Sequence, residues 1–120
     1  MLLPVKMMEQ PTLFERRPKT GSEKEILLFA LGDFQSRGKL LAGRELALDR
    51  LLGAVRRAED FYDAGTLADE QIIAALRDLG AKVYEVPRFV AKHPYRIVVP
   101  GDVAISASAF YRQCKAAENK

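Results

Sequence analysis

The sequence predicts an α+β domain: three N-terminal helices, a two-stranded β-hairpin and a C-terminal helix over residues 22–120, preceded by a flexible or extended tail over 1–21. Three observations predict it. Apolar residues recur at helical spacing in three segments between residues 23 and 79. Two runs rich in β-branched and aromatic residues, Lys82-Val83-Tyr84-Glu85-Val86 and Tyr95-Arg96-Ile97-Val98-Val99, flank a loop bounded by Pro87 and Pro94. With 120 residues, 48% hydrophobic and 29% charged, the chain can bury one core without disulfide or metal staples.

The tail contains Pro4, Pro11 and Pro18 and a basic cluster of Arg16, Arg17 and Lys19. Prolines at that density block helix and sheet pairing. Ser22 and Glu25 form a capping-box pattern, a hydroxyl for the orphan amides and a carboxylate three residues on. The first helix follows over about 23–36, with Ile26, Leu27, Leu28, Ala30, Leu31 and Phe34 on a wide apolar face and Gly38 as its stop. Residues 39–43 are a break, either one short strand or a turn. The second helix covers about 44–63, with Leu48, Leu51, Leu52, Val55, Phe61 and Tyr62 at helical spacing and Asp49, Arg50, Arg56, Arg57 and Asp60 on the other face. Gly53 costs it about 1 kcal/mol relative to alanine unless a neighbouring helix packs closely there. Ala64 and Gly65 end it.

Thr66 is the expected cap of the third helix, and Asp69 and Glu70 lie in its first turn, where the helix dipole favours acids. Leu67, Ile72, Ile73, Leu76 and Leu79 form its buried stripe, and Gly80 stops it. In the second strand Tyr95, Ile97 and Val99 share a face. Pro100-Gly101-Asp102 breaks the chain, and a last helix covers 106–118, with Ala109, Phe110 and Cys114 against the core.

A formal net charge of +3 and a pI of about 9.1 permit an acidic partner such as nucleic acid without demanding one. Cys114 is the only cysteine, so no intrachain disulfide can form, which points to a reducing compartment. No apolar run approaches the roughly 20 residues of a membrane span. Residues 1–8 carry one lysine and too short an apolar patch for a signal peptide. The expected location is the cytoplasm.

Helix, glycine, strand, basic loop and strand over about 66–100 resemble the second half of a winged helix-turn-helix domain. The resemblance is a pattern of element types covering about half the chain. It implies that the third helix is a recognition helix and the loop between Pro87 and Pro94 a wing. The chain departs from the family in its long second helix, since the helix before a recognition helix is usually short. A recognition helix contacts bases and phosphates from its N-terminal half. Here that half offers Asp69, Glu70 and Gln71, and only Arg77 is basic.

The acids are therefore read as helix-terminal charges, and the candidate nucleic-acid contact moves to the loop. Arg88, Lys92, His93 and Arg96 stand there beside the apolar Phe89 and Val90, with Arg77, Arg56 and Arg57 as further basic candidates. Two readings of the loop remain open: a basic wing on a phosphate backbone, or a solvated hairpin whose Phe89 packs on the core. In an adapter with no nucleic-acid role, Phe89 and Val90 are instead an interface patch.

Gln10-Pro11-Thr12-Leu13-Phe14 resembles the bacterial sliding-clamp-binding motif Gln-x-x-Leu-Phe. The resemblance implies that the Gln10 amide makes polar contacts on the replication clamp while Leu13 and Phe14 fill a hydrophobic pocket. Pro11 departs from the residue usual after the glutamine. The bland reading is that Leu13 and Phe14 fold onto the first or second helix as a latch.

Signals for other chemistry are missing. One histidine and one cysteine make no zinc set, no glycine loop ends in Gly-Lys-Ser/Thr, and Asp60, Asp63, Asp69 and Glu70 lack calcium-loop spacing. His93 and Cys114 are a conceivable nucleophile pair, but Cys114 has apolar helix neighbours and reads as packing. No metal, cofactor or enzymatic activity is expected. The expected function is that of a small accessory DNA-binding protein in replication, repair, transcription or a mobile element. The alternative is a protein–protein adapter, or a subunit of a larger assembly.

Overall fold

Ser22 caps the first helix as its pattern predicts. Its Oγ accepts from the Glu25 amide at 3.2 Å, and Glu25 Oε1 accepts from the Ser22 amide at 3.0 Å. The structure, a computed structural model, describes residues 22–87 and 94–118. The tail candidates Gln10, Leu13 and Phe14, and the loop candidates Arg88, Phe89, Val90, Lys92 and His93, lie outside the described residues. The elements run α1 (Glu23–Ser36), β1 (Glu45–Ala47), α2 (Asp49–Tyr62), α3 (Asp69–Leu79), β2 (Lys82–Glu85), β3 (Tyr95–Val98) and α4 (Gly101–Glu118). The chain is α+β, with four helices and one small antiparallel sheet among the described residues. No described helix is long and apolar enough to cross a membrane.

The sheet corrects the expected two-stranded hairpin: it has three strands in the order β1-β3-β2. Periodicity assigns Glu45, Leu46 and Ala47 to the second helix, yet they pair with Val98, Ile97 and Arg96. Tertiary context decides this. Leu46 is buried between an exposed Glu45 and a half-buried Ala47, which is period two, and it completes an inner row Leu46–Ile97–Val83 across the sheet. The Leu48 amide then donates to the Tyr95 carbonyl at 3.0 Å, so the chain passes from the sheet directly into α2. Residues 39–43 supply one isolated bridge, Ala42 with Val99.

Two helix starts also differ from the expectation. Thr66 does not cap α3. Ala68 is its N-cap, and Gln71 Oε1 accepts from the Ala68 amide at 2.8 Å. Further along, α4 opens at Gly101, not 106. Pro100 stands just outside it, where a missing amide is no loss, and its carbonyl accepts from the Ala104 amide at 3.0 Å. The fully buried contacts of α4 are accordingly Ala104 and Ala107, with Phe110 and Cys114 half-buried against the core. Gly80 ends α3 as predicted, in the left-handed region at φ 107°.

The core is built on α1, which packs against α2, α3 and α4. Its run from Ile26 to Phe34 is buried except for the half-buried Leu28. Phe29 stacks on Phe61 with ring centroids 4.4 Å apart and meets the edges of Tyr62 and Tyr111. The α1–α4 crossing is close because Gly32 has no side chain: a Cβ there would lie 2.5 Å from the Ala107 carbonyl oxygen. Gln35 ties the same crossing through its Nε2, which donates to the Ala104 carbonyl at 2.9 Å. Gly53 is different. A Cβ there would meet only Arg57 Nη1, at 3.5 Å, so no neighbouring helix offsets its propensity cost.

These two glycines give opposite predictions. Gly32→Ala forces backbone or side-chain shifts in a packed crossing and should destabilise by about 1–3 kcal/mol. Gly53→Ala should stabilise by up to about 1 kcal/mol. Urea unfolding midpoints of the two variants check both signs. A neutral Gly32→Ala would mean that the crossing is looser than described.

Candidate nucleic-acid interface

The turn between α2 and α3 is fixed by a buried carboxylate. Asp63 ends α2 in the left-handed region, and residues 64–68 lead to α3. Glu59, 5% exposed, accepts from the Leu67 amide at 2.8 Å and from Arg56 Nη1 at 2.6 Å through the same oxygen, Oε2. A carboxylate at that depth needs both partners. Arg56 is thus the counter-ion of a turn-forming residue.

The other described basic candidates are likewise engaged. Arg57 reaches α1, where its Nε donates to Asp33 Oδ1 at 2.8 Å. Arg77 Nη2 donates to the Val83 carbonyl at 2.9 Å, tying α3 to β2. Arg96 Nε lies 3.3 Å from Glu45 Oε2 across the β1–β3 pair. The Tyr84 hydroxyl donates to the other oxygen of Glu45, which raises the phenol's pKa, with burial adding to the effect. The four arginines are held by four separate partners: Glu59 of α2, Asp33 of α1, the Val83 carbonyl of β2 and Glu45 of β1.

The solvent face of α3 presents Asp69, Glu70, Ala74 and Asp78, with Arg77 beside them. Gln71 is drawn away from that face to Glu23 on α1, at 2.9 Å. A small cleft of about 90 Å³ between the hairpin base and the starts of α2 and α3 is lined by Leu48, Asp49, Leu52, Asp69, Pro94 and Tyr95. The hairpin itself is closed at its base by the Val86 amide donating to the Pro94 carbonyl at 2.6 Å. Residues 22–87 and 94–118 hold twelve Lys and Arg against fourteen Asp and Glu, a formal −2 in a chain of +3. The positive excess therefore belongs to residues 1–21, 88–93 and 119–120.

Sequence reasoning missed one polar cluster. Asp33 sits in the packing face of α1, 4% exposed, and accepts from Arg37 Nε at 2.9 Å and from Arg57. The Asp33–Arg37 spacing of four is a readable signal for a helix pair. Arg57 lies 24 residues away and leaves no such signal. The cluster borders a cleft of about 330 Å³ with Phe61 and Tyr111 in its wall and Lys115 at its rim. Among the described residues, no group of three or more His, Cys, Asp or Glu is arranged to hold a metal ion.

Burial alone would raise the Asp33 carboxyl, but the Arg57 and Arg37 guanidiniums outweigh it and hold the pKa below its ordinary value. The folded pKa is thus lower than the unfolded one. The stabilisation from Asp33 is complete above pH about 4, the unfolded value, and is lost as pH falls through the folded value. Asp33→Asn should destabilise the neutral-pH protein by on the order of 1–3 kcal/mol and flatten the acid limb of its stability profile. Chemical unfolding at a series of pH values checks this. An acid limb identical in both proteins would assign the acid sensitivity to other carboxylates.

No family model matches the chain, and no curated protein or solved structure is found to be similar to it.

Proposed function

We propose that this chain is a small accessory DNA-binding protein of the winged helix-turn-helix type, acting in replication, repair, transcription or a mobile element. The wing between Pro87 and Pro94 is its DNA contact, and Gln10, Leu13 and Phe14 tether it to a replication clamp. The observation that carries the reading is the charge partition: a described body of −2 beside a six-residue loop segment holding Arg88, Lys92 and His93. The order helix, strand, helix, turn, helix and hairpin supports the winged-helix assignment. So does α2, whose 14 residues are fewer than the sequence periodicity suggests, which lessens the one departure from the family pattern.

The acidic face of α3 repels phosphates, so the helix acts as a strut and the loop makes the contact. Contacts of this kind neutralise phosphates and release counter-ions, giving affinity without sequence readout. With Arg88, Lys92 and Arg96 engaged, log K should fall with log salt at a slope of roughly −2 to −3. Arg88→Glu combined with Lys92→Glu should abolish duplex retention at low ionic strength while leaving the melting temperature unchanged. Fluorescence anisotropy of a labelled duplex reads the salt slope and the loss of binding, and circular dichroism on heating reads the melting temperature. Absence of any salt-dependent binding by the unmodified protein, or binding untouched by the reversal, would refute the DNA contact.

The tether is tested separately. Leu13→Ala with Phe14→Ala should lose retention on an immobilised bacterial clamp and keep DNA binding. Retention equal to that of the unmodified chain would remove the motif from the function.

The acidic α3 face and the internally paired Arg56, Arg57, Arg77 and Arg96 favour a second reading, a protein adapter that meets its partner through Phe89 and Val90. The charge reversal separates the two readings, since an adapter built on apolar anchors is little affected by it.

A further inference from the structure

We propose that the outward face of α4 is a two-fold interface, on which α4 of a second copy of this chain packs antiparallel. The face is set by how α4 docks. Ala104 and Ala107 are buried, and α1 is the one described element on which the helix packs extensively. The opposite side carries Asp102, Ile105, Ala109 and Arg112, spaced by three, four and three residues; Ala109, expected against the core, is half-buried on this side. Alternating three- and four-residue steps place these side chains in one seam of the kind that meets another helix. Ile105, at the middle of the first half, is 72% exposed, one of the two most exposed large hydrophobic residues in the described chain.

Charge complementarity identifies the occupant. Asp102 and Arg112 stand at the two ends of the seam, and neither is in an ion pair among the described residues. An antiparallel second copy, with the two-fold axis level with Ala107, sets residue i against residue 214 − i. Asp102 then faces Arg112 of the other copy, and Ile105 faces its Ala109. Each pairing occurs twice, as an isologous contact requires. Two apolar layers lie at the centre and one ion pair closes each end. A parallel pair would instead oppose Asp102 to Asp102 and Arg112 to Arg112. The seam is therefore self-complementary in one orientation only.

The interface is small. A helix of 18 residues is about 27 Å long, and one such pair buries less than the roughly 1,200 Å² typical of stable complexes. The dimer is weak and concentration-dependent.

Sedimentation equilibrium of the full chain from micromolar to millimolar concentration tests the proposal. The average mass should climb from 13.4 kDa toward twice that value. Ile105→Asp should abolish the rise without shifting the thermal melt, because Ile105 is exposed in the single copy. Asp102→Arg and Arg112→Asp should each weaken association roughly tenfold or more by opposing like charges. The double variant carrying both changes should recover it, since the swapped pair is again complementary. A chain that stays monomeric throughout overturns the proposal, whether another protein or only water covers the face. Association that survives Ile105→Asp, or is not recovered in the double variant, places the interface elsewhere.

Discussion

Two adjacent residues of α1, Gly32 and Asp33, set how the helices are arranged around it. Gly32 removes a side chain, so that α4 can approach to backbone contact. Asp33 adds a charge where the face is packed, and that charge must be met. A carboxylate at this depth is costly unless well paired; besides Arg37 of its own helix it is met by Arg57, which ties α2 to α1 on the side where α1 presents Asp33. The first residue governs distance to one neighbour and the second governs rotation of another. The aromatic contacts of Phe29 with Phe61, Tyr62 and Tyr111 fill the space that these two requirements leave.

The same pairing logic decides what the basic side chains are free to do. A guanidinium held by a buried carboxylate is less available than its exposure suggests, because moving it to a phosphate would take a partner from the carboxylate. Arg56 on Glu59 and Arg57 on Asp33 are in that position. Arg77 is held more weakly, by a carbonyl, and Arg96 by an exposed glutamate, so these two can be shared with a partner at modest cost. Counting arginines along the chain therefore overstates the charge available for binding. Within the described fold, acids outnumber bases.

Much of the fold was legible because the signals were local. The Ser22–Glu25 capping box, the left-handed Gly80 and the alternation of Tyr95, Ile97 and Val99 each involve neighbours in sequence. What was missed is non-local. Glu45-Leu46-Ala47 continues the spacing of α2 as well as it alternates, and only the offer of β3 as a partner makes it a strand. Pro100-Gly101 reads as a break, but the carbonyl of Pro100 starts the hydrogen-bond ladder of α4. For the candidate site, the acidic start of α3 was readable as sequence. That Arg57 belongs to Asp33, and Arg56 to a turn, required the fold.

The third strand also bears on how the loop between Pro87 and Pro94 would work in the proposed reading. A two-stranded hairpin is marginal in water and would carry a loop whose ends drift relative to the helices. Here β3 is paired on both sides, with β1 and with β2, and the Leu48 amide ties its first residue to the start of α2. The Val86–Pro94 hydrogen bond extends that rigidity to the base of the hairpin. A contact made by a few side chains gains most when the ends of the segment are already fixed, since less freedom is lost on binding. The strand that periodicity hid inside α2 is thus the element that would let six residues act as a binding surface.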